Sequence, residues 1–186
     1  MIKGYYINLL SSQQRKAALE DNLKSLGIEK DYQRFNAIRG NPGEARKLNL
    51  KAGELGLWES WISLLRQETQ NPEDNYRYLH IMEDDVVINK ITTKALKILQ
   101  IHDEDFDMLF TDMYVNPNVH SRLGKYCKAL MKKEKLSLEK DIYTGCTSSV
   151  ILNKKSIEKI YRLLLNHIKG DDHKIPLDNY IRRLMN

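Results

Sequence analysis

Tyr78-Leu79-His80-Ile81-Met82-Glu83-Asp84-Asp85-Val86-Val87-Ile88 organises the reading of this chain: a short, largely apolar run, three consecutive acids, then a second apolar run. A strand sends successive side chains to opposite faces, so strand geometry carried through the acids predicts Glu83 and Asp85 on one side and Asp84 on the other. Clustered carboxylates at the end of a buried strand repel one another and lose hydration. A divalent cation, or a cation already bound to phosphate, relieves both costs. A solvated acidic turn has the same sequence, and from these three residues alone the two readings are equally good.

Outward from the acids, the punctuation is that of alternating strands and helices. Ile2 to Leu10 reads as a strand, Ser11-Ser12 as a helix N-cap, and residues 13 to 26 as a helix carrying Ala17, Ala18, Leu19, Leu23 and Leu26, with Gly27 at its left-handed end. Tyr32 to Ile38 reads as a second strand and Gly40-Asn41-Pro42-Gly43 as a loop. A helix from Ala52 to about Gln67 carries Leu55, Trp58, Ile62 and Leu65 on one stripe, and both tryptophans are expected in the core. After the acids come a helix over Thr92 to Gln100, a strand over Asp107 to Asp112, a strand over Ser148 to Leu152 and a helix over Lys155 to about His167. This order predicts an α/β sandwich with a mostly parallel sheet, as one domain spanning residues 1–186. Ligands gather beyond the carboxyl ends of strands in such sheets, where Ser11, Glu83 and Asp112 are expected to lie.

Composition limits the function classes. Of 186 residues, 41% are hydrophobic and 30% charged, with only 9 Gly and 4 Pro, as in an ordinary folded domain rather than a disordered one. The N-terminal apolar run soon turns polar, so a cytoplasmic location is expected. Cys127 and Cys146 are expected to be free thiols. The net charge of +5 is uneven, with Lys125, Lys128, Lys132, Lys133 and Lys135 clustered and Arg182-Arg183 near the end. Such patches attract anions, including a nucleotide or the inner face of a membrane, but without aromatic interleaving no nucleic acid partner is expected. No Cys/His cluster has zinc spacing, and His80 and His173 read as incidental.

The order of short motifs resembles glycosyltransferase family 25, the lipooligosaccharide glycosyltransferases. Its I-N-L-x-x-x-x-x-R opening is matched by Ile7-Asn8-Leu9 with Arg15, its R-F-x-A-x-x-G segment by Arg34-Phe35-Asn36-Ala37-Ile38-Arg39-Gly40, and its G-E-x-G by Gly53-Glu54-Leu55-Gly56. Its E-D-D falls on Glu83-Asp84-Asp85, and its later glycine and P-x-D motifs on Thr144-Gly145-Cys146-Thr147 and Pro176-Leu177-Asp178. Two departures stand out. Ser60 is followed by Trp61 where the family has histidine, and the sequence closes soon after Asp178, where relatives run further.

The resemblance implies a GT-A type, Rossmann-like nucleotide-sugar fold. It implies a metal-dependent enzyme that transfers a hexose, galactose in the expected case, from a UDP-sugar to a lipooligosaccharide or related glycan or glycolipid acceptor with inversion. Mn²⁺ or Mg²⁺ suits oxygen ligands, with Glu83 and Asp85 as metal candidates and Asp84 beside them. Asn8, Leu9, Arg15, Ala37, Gly40 and Glu54 are the nucleotide-side candidates. For Glu54 a helix-capping role is equally open, as is a solvated helix charge for Arg15. Asp178 is the preferred base for the acceptor hydroxyl and Asp112 the second candidate, while a helix N-cap is the structural alternative for Asp178. The departures at Trp61 and the C-terminus carry an alternative: a catalytically weak or inactive member serving as a nucleotide-binding, glycan-binding or partner domain. A metal-dependent phosphohydrolase is a third class, lacking a second acid and histidine cluster at matching strand ends.

Overall fold

The computed structural model describes residues 1–101, 106–111, 146–170 and 174–185. In chain order the elements are β1 (Ile2–Asn8), α1 (Gln13–Ser25), a 3₁₀ turn (Glu29–Asp31), β2 (Tyr32–Asn36), α2 (Pro42–Lys47), α3 (Ala52–Thr69), β3 (Tyr78–Glu83), α4 (Lys90–Ile101), β4 (Met108–Phe110) and β5 (Ser149–Asn153). A 3₁₀ turn (Lys154–Ser156) then leads into α5 (Ile157–Lys169), and α6 (Leu177–Met185) follows. The five strands form one sheet in the order β2-β1-β3-β5-β4.

β1 pairs in parallel with both β2 and β3, and the α/β class expected from the alternation is what the chain adopts. The run around Ser148 to Leu152 departs from the parallel pattern. As β5 it runs antiparallel between β3 and β4, with Ile81 opposite Val150 and Leu109 opposite Ile151. A short apolar run reads the same in either direction, so its polarity is fixed by its neighbours.

Both faces of the sheet are covered. On one, Tyr5, Ile7, Leu79, Ile81, Val150 and Leu152 pack with Leu55, Trp58, Trp61, Leu64 and Leu65 of α3 and with apolar residues of α5 and α6. On the other, Leu19 and Leu23 of α1 cover Tyr6, Tyr32 and Met82, and Leu96 and Leu99 of α4 cover Ile2, Tyr78 and Ile151. Each large side chain of α3 removed from water contributes roughly 1.5–3 kcal/mol. Trp58 and Trp61 are both fully buried, in the core where both are expected.

Local chemistry explains several element ends. α1 closes at Gly27, whose φ of +67° lets its N–H reach Lys24 O (3.0 Å) while Ile28 N–H reaches Leu23 O (3.2 Å). Ser12 does occupy the N-cap position of α1, but its side chain makes no capping bond. Its carbonyl instead accepts from Asn8 Nδ2 (3.1 Å). The expected loop at Gly40-Asn41-Pro42-Gly43 is in part the start of α2: the Asn41 side chain accepts from Gly43 N (2.8 Å) and Glu44 N (3.2 Å), and Pro42 supplies a preset first helical residue.

His80 lies fully buried in β3, its Nδ1 2.7 Å from the Tyr32 hydroxyl and its Nε2 2.9 Å from Ser149 Oγ. Burial pushes its pKa down to about 3, so it is a neutral link across three strands. Among the described residues, no helix is long and apolar enough to cross a membrane.

Candidate functional site

The chain leaves β1 toward β2 on one side and, through α2 and α3, toward β3 on the other, with α1 and α3 on opposite faces of the sheet. The loops after these three strands therefore diverge and leave a crevice at their carboxyl ends. A cavity of about 580 Å³ occupies it. Its walls include Leu9 from the β1–α1 connection, Arg15 from α1, Ala37 to Gly40 after β2, Ala52, Gly53, Glu54 and Ser60 from α3, Glu83 at the end of β3 and Asp84 after it.

Close approach of two backbones shapes one wall. A Cβ on Gly40 would sit 2.1 Å from Ala52 O, and one on Gly56 would sit 2.6 Å from Ile38 O. Two glycines thus let the loop after β2 lie against the first turns of α3, and Ser60 fastens it by accepting from Ile38 N (2.9 Å) while donating to Gly56 O (2.6 Å). Gly40 is demanded by this helix contact, whatever it also does for a ligand. Glu54 caps the same helix: its Oε2 accepts from the Lys51 backbone N–H at 2.7 Å, the role its first-turn position suggests.

The three acids divide differently from the alternation expected of a strand. β3 ends at Glu83, and Asp84-Asp85 already form a turn. Glu83 and Asp84 line the same cavity, whereas Asp85 is exposed and lines a separate cavity of about 430 Å³ with Asn89, Thr92 and Thr111. Asp84 is buried at 8% exposure and its two oxygens are engaged, Oδ1 by Arg15 Nη1 (2.9 Å) and Oδ2 by Asn8 Nδ2 (2.7 Å). Arg15 reaches Asp85 more distantly, at 3.7 Å.

Asn8 has no exposed surface and is not among the residues that line the cavity. Its Oδ1 accepts from Arg34 Nε (2.8 Å), and Arg34 Nη2 also donates to its carbonyl (3.3 Å). Arg34, Asn8, Asp84 and Arg15 form one hydrogen-bonded line from β2 through β1 to the turn after β3 and on to α1. The role of Arg34 could not be read from sequence, because only the parallel register that sets Tyr6 beside Arg34 brings its guanidinium to Asn8.

Glu83 is the contrasting carboxylate. No described residue donates a hydrogen bond to its side chain, and its pKa is pushed up to about 7, first by burial and then by the negative charges of Asp85, Asp84 and Asp178, with Arg15 pulling in the opposite direction. Asp178, distant in sequence, is therefore a spatial neighbour of the acid turn.

α3 accounts for that placement. Trp58 Nε1 donates to Ile175 O (2.9 Å), and the Tyr180 ring stacks on His167 at 4.0 Å, pinning the residues around Asp178 against the core. Asp178 lies one residue inside α6 rather than at its N-cap, and its Oδ1 accepts from Asn179 N (2.8 Å). Trp61 is buried with no described partner for its Nε1 and belongs to the core rather than the cavity. Asp112, His173, Thr144, Gly145, Cys127 and the lysine cluster lie outside the described residues; Cys146 Sγ lies 2.8 Å from Ser148 Oγ.

The donor set is all oxygen. Among the described residues no three His, Cys, Asp or Glu side chains converge as a complete cage. A hard cation here would take one or two carboxylates and fill its remaining positions from phosphate and water, the usual habit of Mg²⁺. Glu83, uncommitted and crowded by like charge, fits that role best, with Asp85 next along the turn. No known protein-family model matches the chain, and no significant match to it is found among curated proteins.

Proposed function

We propose that this protein is a metal-dependent glycosyltransferase of GT-A type, taking a UDP-sugar in the cavity at the carboxyl ends of β1, β2 and β3 and passing its hexose to a glycan or glycolipid acceptor. One observation carries the reading. Motif residues that lie far apart in sequence, Leu9, Arg15, Ala37, Gly40, Glu54, Glu83 and Asp84, line a single cavity at the point where the sheet's connections diverge.

The wall formed by Ala37, Ile38 and Leu57 is apolar and suits a nucleoside, while Arg15, Glu83 and Asp84 lie toward the strand ends, where a diphosphate would be. A bound Mn²⁺ or Mg²⁺ would neutralise charge on the departing diphosphate. Glu83 and Asp85 are the residues to hold it, and Asp84 fixes Arg15 rather than serving as a free ligand. Asp178 supports the assignment of an acceptor base, since it lies on a different element yet within electrostatic reach of Glu83. Inversion needs one such base on the acceptor side.

UDP release from a panel of UDP-sugars, with and without EDTA, tests the reading. Turnover that is lost with EDTA and in Glu83→Ala is expected. Full turnover in both, or no UDP binding by the wild-type chain, would overturn it.

A further inference from the structure

Among the described residues, Arg15 and Arg39 are the guanidinium side chains lining the cavity, and their electrostatic situations differ. Arg15 is spent on Asp84 at 2.9 Å and leans on Asp85 at 3.7 Å. The nearby Arg34 lies outside the cavity lining and is committed to Asn8. Arg39 is exposed, and among the described residues it forms no ion pair; its Nη2 donates to the neutral Ser11 Oγ at 3.0 Å. That contact joins the two loops bordering the cavity, the β1–α1 turn and the segment after β2. It holds the guanidinium in place without cancelling its charge.

Backbone placement reinforces this. Gly40, next in sequence, is locked against Ala52 O, and Ile38, just before, is fastened by Ser60. Arg39 therefore springs from a fixed piece of chain, so ordering its side chain on a ligand costs less. An uncommitted guanidinium on a rigid rim, with spare fork donors, is matched to a phosphate group.

We propose that Arg39 is the phosphate-contacting residue of this cavity, donating to the diphosphate of a nucleotide, with Ser11 as the residue that positions it. The assignment rests on the nucleotide reading above and adds a residue outside the acid cluster.

Calorimetric titration of the wild-type chain and of Arg39→Ala with UDP, uridine and inorganic pyrophosphate, all with Mn²⁺, tests it. Arg39→Ala is expected to weaken UDP and pyrophosphate by about ten- to a hundredfold, to leave uridine affinity unchanged, and to keep the wild-type melting temperature. Arg39→Lys should recover part of the loss. Equal UDP affinity in wild type and Arg39→Ala overturns the Arg39 assignment alone. An equal loss for uridine overturns it too, since that would mean a shaping role. Pyrophosphate binding that depends on Arg39, without any UDP binding, keeps the phosphate contact and removes the UDP-sugar reading. If wild type binds neither, both fall.

Discussion

The molecule keeps two acid clusters, one at each end of the central strands, and they are built in opposite ways. At the amino end, Glu68 of α3 is fully buried, and Lys3 Nζ donates to both of its oxygens at 2.9 Å, Tyr5 OH to one at 2.8 Å and Tyr76 OH to the other at 2.7 Å. Lys3 also pairs with Asp74 at 2.6 Å. Every lone pair that matters has a donor. At the carboxyl end, Asp84 is satisfied in the same manner by Arg15 and Asn8, but Glu83 has like charges around it and no described donor. A carboxylate in the first setting ties the fold together; one in the second is held in an unfavourable environment that a ligand or a proton relieves.

Breaking the first cluster should have the largest effect. Glu68→Ala leaves two tyrosine hydroxyls without their acceptor and Lys3 with Asp74 alone, and is expected to cost about 3–5 kcal/mol in urea unfolding. A cost below about 1 kcal/mol would show the network to be far weaker than its geometry.

Neutralising the second cluster should act with the opposite sign. The folded state holds Glu83's proton up to about pH 7, whereas the unfolded chain releases it near the ordinary 4.5. Glu83 thus makes no unfavourable contribution below pH 4.5, an increasing one between 4.5 and 7, and a constant one above. Glu83→Gln is therefore expected to raise the unfolding free energy at pH 8 by as much as ~3 kcal/mol, and to match wild type at pH 4. A uniform loss of stability at both pH values would refute the description of Glu83 as strained.

Arg15→Gln should have the smallest effect. Arg15 is half exposed and its charge opposes the rise at Glu83, so its removal should shift the pH midpoint of the Glu83-linked stability change further upward. An unchanged midpoint would place Arg15's influence on Asp84 alone. The contrast sharpens if the corresponding exposed pair, Lys159 with Asp107 at 2.7 Å, proves worth well under 1 kcal/mol.

Much of this arrangement was legible in the chain. The opening strand, the helix ending at Gly27, the long helix with both tryptophans inside and the strand leading into the acids all have local causes: apolar periodicity, caps and a left-handed glycine. Glu54's capping role follows in the same way from its place in a first turn. α2 was harder to see, because Gly40-Asn41-Pro42-Gly43 contains the residues of a loop as well as those of a helix start. The division among the acids was hidden by the assumption that the strand continues; once it turns after Glu83, face alternation has no further meaning.

By itself, the sequence determined the α/β class and the placement of an acid cluster at a strand end, since these follow from short-range pattern. Tertiary structure alone decided the direction of β5, the approach of Asp178 to Glu83 and the difference between Asp84, bonded by Arg15 and Asn8, and Glu83, with no donor among the described residues. The reason is physical: strand polarity, charge proximity and hydrogen-bond saturation depend on which distant segments become neighbours. Asn8 and Arg34 owe their contact to the register of β1 on β2, and Asp178 owes its position to Trp58.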